Sequence, residues 1–417
     1  MKNLISKITA RQILDSRGNP TVEATVYSGQ MSATASVPSG ASTGSHEAVE
    51  LRDGGKAWQG KGVSKAVRNI EKVILPLLKG CEVTDQVQID QRMITKDGTK
   101  DKRKLGANSI LAVSIAAVRL SSKLNNQPLY KSLAGQFGFS KPKQLPTPLL
   151  NVLNGGLHAD SGTDIQEFFF IPKKGNFSKK IEVGSLAINS LKSLLVKKKL
   201  SVGLGDEGGF APKLSSNEKA LRLMHEALKK AGLRLGKDVA LGIDAASSEF
   251  FNRDTEVYKL KADKKNFKPV SIYKMYQKWI DRYGLEVIED GCSEDDYLGW
   301  QKLTLNLGSN TVLVGDDLFV TDPARLQAGI ISNIANAVLI KPNQIGSVTE
   351  TMETISLAKK YGYKVVVSHR SGETLDDFIA DLSVAVGADF IKAGSLARGE
   401  RLAKYNRLLE IAEELKQ

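Results

Sequence analysis

Six short apolar runs in the second part of the chain each end at a polar or charged residue. They are rich in Val, Ile and Leu, and they cover residues 239–244, 285–289, 312–316, 338–341, 365–369 and 390–392. From Glu289 onward the polar ends lie 27, 25, 28 and 23 residues apart, with helical stretches between them. This spacing is typical of βα units and predicts a closed parallel, TIM-barrel-like βα-barrel. A doubly wound open sheet alternates in the same way and is the structural alternative.

A different pattern precedes these runs. Residues 20–37 alternate between apolar and polar side chains with a turn near Gly29, which predicts a hairpin, and residues 61–79 and 106–124 have helical spacing. Residues 139–148 contain three of the twelve prolines, as expected of a boundary. We therefore predict a smaller N-terminal α+β capping domain over residues 1–138 and a catalytic barrel over residues 139–417.

The composition restricts the classes of protein that remain. Hydrophobic residues make up 41% of 417 residues, and no stretch of about 18 apolar residues or signal-peptide pattern is visible, so we expect a cytoplasmic protein without a membrane partner. The cysteines Cys81 and Cys292 are far apart in sequence and indicate reduced thiols. The net charge of +13 would suit RNA or another polyanion, but the basic residues are dispersed and favour a solvated surface.

Three of the strand-end residues are carboxylates: Asp244, Glu289 and Asp316. Any one of them alone would be read as a helix cap or turn residue. Because the carboxyl ends of barrel strands meet at one rim, the three carboxylates together would repel one another unless a cation were present. Oxygen ligands without His or Cys favour Mg²⁺, or Mn²⁺, over zinc.

Cationic groups are expected at the same rim. A lysine at 341, beside a metal and another cation, would have a lowered pKa and could act as a base. Arg370 and Ser371 suit a phosphate group, which Lys392 would help to neutralise. Glu167 and Glu207, which we place at earlier strand ends, are candidates for a carboxyl acid opposite the lysine.

Two glycine-rich loops complete the candidate site. Residues 39–47 combine glycines with hydroxyls but lack the Gly-Lys-Ser/Thr of a P-loop. We interpret this loop as a lid that brings oxygen ligands to a second metal, or else as a flexible turn. Residues 154–158, Asn-Gly-Gly-Leu-His, form a second loop of this kind.

Five ordered motifs connect these residues to a known family. They are Ala-Arg-Gln-Ile-Leu-Asp-Ser-Arg-Gly-Asn-Pro at 10–20, the loop at 39–47, Gly-Asp-Glu-Gly-Gly at 205–209, Ile-Lys-Pro-Asn-Gln-Ile-Gly at 340–346 and Ser-His-Arg-Ser-Gly-Glu-Thr at 368–374. With them the chain resembles the enolase family over essentially its whole length. The resemblance implies an enolase-type fold, homodimers or higher homo-oligomers, and the dehydration of 2-phosphoglycerate to phosphoenolpyruvate in glycolysis and gluconeogenesis.

The resemblance also implies a role for each site residue. Enolase-superfamily sites themselves are known to combine a Lys or His base with Mg²⁺. Lys341 would remove the C2 proton and Glu207 would protonate the departing 3-hydroxyl. The first of two Mg²⁺ ions would bind Asp244, Glu289 and Asp316, and the second would bind Ser42, with Mn²⁺ as a possible substitute. The remaining assignments are His158, Gln166 and Glu167 around the reacting carbon, and His369, Arg370, Ser371 and Lys392 around the substrate phosphate and carboxylate.

Three segments depart from the family pattern: residues 160–164, 291–293 and 393–398. They spare the catalytic positions but belong to the shell that supports them. Two alternatives to a working enolase stay open here. One is a diverged paralogue that binds RNA or another polyanion, and the other is a relative that acts on a different carboxylate substrate, which the phosphate-suited segment 368–371 disfavours.

Overall fold

The computed structural model describes residues 3–40 and 44–416. The N-terminal part is a three-stranded antiparallel sheet followed by helices. Its strands are β1 (Lys7–Leu14), β2 (Pro20–Ser28) and β3 (Met31–Ser36), and its helices are α1 (Ser64–Asn69), α2 (Leu75–Leu78), α3 (Gln86–Asp97), α4 (Ala107–Leu124) and α5 (Leu129–Gln136). A π-helical turn at Ile70–Ile74 joins α1 to α2, so residues 64–78 form one continuous helical stretch.

The predicted hairpin is β2 and β3, with Gly29 in the turn at φ +58°. Such a positive φ is accessible to glycine without the steric cost that other residues incur. The strand β1 was not predicted, although it pairs with β2 along its whole length. Almost all of α4 is buried because its Ala, Ile, Leu and Val side chains pack on β2 and β3. The prediction of a small α+β domain is confirmed, while the boundary at residue 138 stays a prediction.

The second part contains the remaining strands and helices. The strands are β4 (Thr147–Asn154), β5 (Glu167–Pro172), β6 (Val239–Asp244), β7 (Phe251–Asn252), β8 (Val257–Leu260), β9 (Lys265–Phe267), β10 (Leu285–Glu289), β11 (Val312–Gly315), β12 (Ala337–Ile340), β13 (Lys364–Ser368) and β14 (Phe390–Lys392). The helices are α6 (Phe177–Lys197), α7 (Asn217–Lys230), α8 (Tyr273–Tyr283), α9 (Tyr297–Leu307), α10 (Pro323–Ile331), α11 (Pro342–Ile345), α12 (Val348–Lys360), α13 (Phe378–Ala385) and α14 (Gly399–Glu414).

Eight of these strands close into a barrel in the order β4-β5-β6-β10-β11-β12-β13-β14. The predicted barrel is confirmed, and the open-sheet alternative is wrong. The barrel is not wholly parallel, however, because β5 runs antiparallel to both β4 and β6. Strand and helix also do not alternate strictly, since β7, β8 and β9 form a separate antiparallel sheet between β6 and α8.

The inside of the barrel is filled by apolar side chains. They are Leu149, Phe169, Ile171, Ala240, Val287, Val314, Ala337, Leu339 and Val366. A filled barrel has no lumen, so polar chemistry is confined to its ends. Both cysteines, Cys81 and Cys292, are buried free thiols, as predicted. Among the helices that the structure describes, none is long and apolar enough to cross a bilayer.

Candidate active site

The polar rim of the barrel is built by strand register. Asp244 and Glu289 are the last residues of β6 and β10 and pair directly in register. On the other side of β6, Asp244 pairs with Glu167. Because β5 is antiparallel, Glu167 reaches this rim as the first residue of its strand, and its prediction as a strand end was wrong. Lys392 ends β14 beside Ser368 at the end of β13.

Glu207 was also misplaced in the prediction, since it lies in a loop and not at a strand end. The loop between α6 and α7 folds back so that Gly205 N–H donates to the Gly209 carbonyl at 2.8 Å. The Glu207 carbonyl accepts a hydrogen bond from Ser395 N–H at 2.9 Å. These bonds hold a buried Glu207 over the barrel mouth. The sequence showed this position as a glycine-rich motif but not as a loop.

Lys392 lies at the centre of the carboxylates. Its Nζ is 2.8 Å from Glu289 Oε1, 3.0 Å from Asp244 Oδ2 and 3.3 Å from Glu167 Oε1. Burial lowers the pKa of this lysine, but Asp244 and Glu167 outweigh burial and raise the pKa well above its ordinary value. Lys392 is therefore a fixed positive charge on the carboxylate side of the site.

Lys341 follows β12 and contacts the third carboxylate. Its Nζ lies 2.5 Å from Asp316 Oδ2. Burial lowers the pKa of Lys341, but the charges of the surrounding carboxylates, above all Asp316, together raise it by more. The charges of the protein alone therefore leave the pKa of Lys341 above its ordinary value. The expectation of a lowered pKa considered only neighbouring cations and omitted this ion pair. Arg370 and Lys392 do lower the pKa of Lys341, as expected.

The three predicted metal ligands are hard oxygen donors at one rim, where Asp244 and Glu289 contact Lys392 and Asp316 contacts Lys341. Burial raises the pKa of Glu289 well above its usual range, and the carboxylates of Asp244 and Asp316 raise it further. Glu289 is fully buried, and its Oε2 has no hydrogen-bond partner among the described residues. Mutually repelling carboxylates with an unsatisfied oxygen form the donor set that a hard cation binds. Ser42, the predicted ligand of a second ion, lies outside the described residues.

A second carboxylate cluster lies beside this set. One oxygen each from Asp290, Asp316 and Asp317 falls within 4.8 Å of the others. The Asp290 carboxylate accepts hydrogen bonds from Asp316 N–H at 2.8 Å and Asp317 N–H at 3.0 Å. Both of its oxygens are thus used to fix the segment after β11. Asp290 therefore orients Asp316, and the sequence patterns did not single it out.

Two buried carboxyls and two imidazoles meet at the mouth next to Lys392 and Asp244. His158 Nδ1 is 3.4 Å from Glu167 Oε1 and 3.7 Å from Glu207 Oε1. His369 Nε2 lies 3.3 Å from Glu207 Oε2, which also accepts a hydrogen bond from Asn151 Nδ2 at 3.0 Å. These contacts bring together four residues that the sequence predicted separately, and they add Asn151, which it did not predict.

The two carboxyls differ in their affinity for protons. Burial raises the pKa of Glu167 well above its usual value, and the charge of Glu207 raises it further. Burial opposes ionisation of Glu207 too, but interactions with His369 and His158 hold its pKa well below its usual value. Burial lowers the pKa of His369 to about 4, which leaves its imidazole neutral near neutral pH. Of the two carboxyls, Glu167 is therefore the one whose surroundings favour the protonated form, as suits an acid.

The segment 368–371 is fixed from behind by a buried arginine. Arg401 Nη1 lies 2.6 Å from His369 Nδ1 and donates to the Arg370 carbonyl at 2.6 Å. Its Nη2 donates to the Ser371 carbonyl at 2.7 Å. The Arg370 guanidinium forms a bidentate pair with Glu47, at 2.9 and 3.1 Å. Arg401 is in α14, far from any motif, and sequence reasoning missed it.

The N-terminal domain closes one side of the site. Ser39 and Gly372 exchange backbone hydrogen bonds at 2.7 and 2.9 Å. Ser45 Oγ donates to Glu294 Oε1 at 2.9 Å, beyond the end of β10. The predicted lid therefore contacts the barrel at both ends of its described part, whereas residues 41–43 lie outside the described residues.

These groups line a small cleft at the barrel mouth, with a volume of about 20 Å³. It is lined by His158, Gln166, Glu167, Glu207, Asp244, Lys341, Ser368, His369, Arg370, Ser371 and Lys392. Every predicted catalytic and substrate-binding residue is in this set. Glu289 and Asp316 lie beside the cleft, in contact with Lys392 and Lys341.

Comparison with known families agrees with this geometry. The model of the enolase N-terminal domain matches residues 5–133, and the model of the enolase C-terminal TIM barrel domain matches residues 142–417. This chain belongs to the enolase family. It is accordingly an enolase-type, lyase-type enzyme of a family that uses a divalent metal, and its acidic rim is the part of the fold that could bind one.

Two of the departures from the enolase pattern have clear structural surroundings. At Gly291, an added Cβ would come within 2.8 Å of Leu303 Cδ2 and 3.1 Å of Ile288 Cγ2, so a side chain here would require these neighbours to shift. In the segment 160–164, the Ser161 and Thr163 hydroxyls lie 2.9 Å apart and are buried. Both departures are thus accommodated within the shell that supports the site.

Proposed function

We propose that this chain catalyses the reversible, Mg²⁺-dependent dehydration of 2-phospho-D-glycerate to phosphoenolpyruvate and water. The observation that carries the proposal is that a lysine and a carboxyl pair line one small buried cleft, beside the carboxylates of Asp244 and Glu289. A β-elimination from a carboxylate substrate needs a base near C2, an acid near the 3-hydroxyl, and positively charged groups beside the substrate carboxylate.

Lys341 is the base in this proposal. It must be deprotonated to accept the C2 proton, and its contact with Asp316 opposes that loss. The nearby charges of Arg370 and Lys392 favour it. Positioned general bases contribute about 10²- to 10⁴-fold to the rate of proton transfer.

Glu207 protonates the departing hydroxyl. Glu207 must carry a proton in this role, and the neighbouring Glu167, whose pKa is raised by burial, is the group best suited to supply it. His158 Nδ1 lies near both carboxyls, at 3.4 and 3.7 Å. Gln166 Nε2 donates to Asp244 Oδ2 at 3.3 Å, which places this amide between the carboxyl pair and the metal ligands. In this proposal His158, Glu167 and Gln166 surround the carbon that loses the hydroxyl.

The anionic groups of the substrate would bind the basic and hydroxyl side chains that line the cleft. Arg370 and Ser371 present a guanidinium and a hydroxyl to the cleft for the phosphate, and His369 lies beside them. Lys392 would help to neutralise the substrate carboxylate. A divalent cation held by Asp244, Glu289 and Asp316 would stabilise the negative charge that develops on that carboxylate, and Ser42 would belong to a second cation site.

Several properties remain predictions that accompany this proposal. They are the identity of the ion as Mg²⁺ with Mn²⁺ as a substitute, assembly as a homodimer or larger homo-oligomer, and a cytoplasmic location. Binding of RNA or another polyanion is an alternative suggested by the net charge of +13, although the dispersed basic residues favour a solvated surface.

The test is a coupled assay with purified protein and 2-phosphoglycerate. We expect phosphoenolpyruvate to form with Mg²⁺, to stop when the metal is chelated and to resume when Mg²⁺ is restored. Protein that stays folded with Mg²⁺ but forms no phosphoenolpyruvate would refute the proposed reaction. Glu207→Gln is the matched inactive control, since it keeps the shape of the side chain.

A further inference from the structure

Asn217, the first residue of α7, is fully buried and makes an unusually complete set of side-chain hydrogen bonds. Its Oδ1 accepts from Asp164 N–H at 2.8 Å and from Ile165 N–H at 3.2 Å. Its Nδ2 donates to Asp164 Oδ2 at 2.9 Å and to Asp263 Oδ2 at 2.8 Å. One amide therefore joins two separate loops.

Asp164 extends this connection. Its Oδ1 accepts from Lys261 N–H at 2.9 Å and its Oδ2 from Ala262 N–H at 3.0 Å, in the turn between β8 and β9. The segment that enters β5 is thus fixed to the start of α7 and to the small antiparallel sheet. We call Asn217, Asp164 and Asp263 the amide clamp.

The amide clamp is adjacent to residues that line the cleft. Gln166 and Glu167 directly follow the clamped amides of residues 164 and 165. The loop then closes on itself, because Gly155 N–H donates to the Gln166 carbonyl at 2.8 Å and His158 N–H donates to the Gly155 carbonyl at 2.9 Å. A shift at residue 165 is therefore transmitted to His158 as well as to Glu167.

Capping of the helix does not explain Asn217. The N-cap of α7 is Ser216, whose side chain accepts from Lys219 N–H at 3.2 Å. Among the described residues, the four hydrogen bonds of the Asn217 side chain go to residues 164, 165 and 263 and not to its own helix. Its burial and its bonds are accounted for by the loops that it joins.

We propose that Asn217 is a positioning residue, which acts through the amide clamp to hold His158, Gln166 and Glu167 in their catalytic geometry. This inference rests on the proposed dehydration for its kinetic consequence and on the loop geometry alone for its structural one. It assigns a role to a side chain that does not line the cleft.

The kinetic test compares Asn217→Ala with Ser216→Ala. We expect Asn217→Ala to lower kcat by about 10- to 100-fold, because small displacements of catalytic groups have effects of this size. The KM for 2-phosphoglycerate should change less than about threefold, since Arg370 and Ser371 are held separately by Arg401. Ser216→Ala weakens the same helix end and should leave kcat within about twofold of the native value. Equal effects of the two substitutions on kcat would overturn the proposal.

A double variant that exchanges the amide and the carboxylate between residues 217 and 263 tests whether the lost activity can be restored. Asn217→Asp places a third carboxylate against Asp164 and Asp263, so it should lower kcat at least as much as Asn217→Ala. Adding Asp263→Asn restores a donor opposite residue 217 and returns the cluster to two carboxylates. We expect kcat of the double variant to be at least about tenfold higher than that of Asn217→Asp alone. An equal kcat would contradict the role of the amide clamp.

A measurement independent of activity separates this inference from the proposed reaction. Hydrogen exchange of peptides covering residues 155–167 should be faster in Asn217→Ala than in the native protein, and unchanged in Ser216→Ala. If native protein makes no phosphoenolpyruvate, the proposed function fails while the exchange result still decides the clamp. Unchanged hydrogen exchange in Asn217→Ala would refute the role of the amide clamp even if the protein is an active enzyme.

Discussion

Among the described residues, five buried carboxylates and two lysines meet at the barrel mouth. Glu167, Glu207, Asp244, Glu289 and Asp316 face Lys341 and Lys392. Buried charges are costly unless they are paired, and here even a proton shared by Glu167 and Glu207 leaves negative charge in excess. At the scale of single residues, a divalent cation would balance the charge of the site.

This imbalance predicts that Mg²⁺ stabilises the folded protein. At a concentration 100 times its dissociation constant, a ligand that binds only the native state adds about 2.7 kcal/mol to the free energy of unfolding. Glu289→Gln removes a fully buried anionic oxygen and should reduce the Mg²⁺-induced rise in Tm by more than half. The exposed Asp281→Asn is the control and should keep the full rise. Equal rises in all three proteins would contradict the assignment of Glu289.

The type of residue at the site could be predicted from the sequence, but several contacts could not. Asp244, Glu289 and Lys392 follow apolar runs, and in the structure they end β6, β10 and β14. Arg401 and Asn151 lie within a helix and a strand without a local pattern, so only tertiary structure reveals that they touch the site. The raised pKa of Lys341 likewise depends on a side-chain contact that strand spacing does not encode.

The elements of the barrel show which structural properties a sequence pattern encodes. The bounds of β6, β10 and β14 agree with the predicted runs because continuous apolar segments are typical of strands buried on both faces. The antiparallel direction of β5 was missed, because a run of apolar residues does not indicate in which direction the strand runs. Glu167 was consequently assigned to the right rim for the wrong reason.

The segment after β10 gives a prediction at this scale. Gly291→Ala would place a Cβ against Leu303 and Ile288, and overpacking of this kind typically costs about 1–3 kcal/mol. We expect a lower Tm and a lower kcat, because Glu289 is two residues away. Gly135→Ala in α5, where the added Cβ meets nothing within 4 Å, should instead raise stability by about 0.5–1 kcal/mol. Thermal unfolding of Gly291→Ala and Gly135→Ala shows whether the loss of stability comes from overpacking at residue 291 or from replacing any glycine with alanine.

At the scale of the whole molecule, the two domains are joined by buried polar contacts as well as by the lid. Arg119 of α4 lies 2.6 Å from Asp376 Oδ2 and 2.8 Å from Asp377 Oδ1 at the start of α13. Burial opposes ionisation of Asp376, but Arg119 outweighs it and lowers the pKa of the carboxyl. The domain arrangement therefore depends on an ion pair that sequence spacing could not predict.

This ion pair predicts a dependence of stability on pH. A carboxyl with a lowered folded pKa contributes stability above its unfolded pKa of about 3.9, and that stability is lost as pH falls through the folded value. Arg119→Ala leaves Asp376 buried without its partner and should cost about 3 kcal/mol at pH 7. The variant should then lose less further stability than the native protein as the pH falls below about 4.

Denaturant unfolding at several pH values measures this difference. Arg103→Ala, which removes the exposed partner of Asp101, is the control and should leave the unfolding curve unchanged. If Arg119→Ala and Arg103→Ala behave alike at pH 7, the ion pair does not stabilise the domain arrangement.

The proposed roles of Lys341 as the base and Glu207 as the acid are tested most directly by isotope exchange at C2 of 2-phosphoglycerate in D₂O with Mg²⁺. Native protein should exchange the C2 proton and form phosphoenolpyruvate. Glu207→Gln should retain exchange while product formation falls by about 10²- to 10⁴-fold, and a folded Lys341→Ala should lose both. Exchange at the native rate in Lys341→Ala would contradict the assignment of the base and the mechanism built on it.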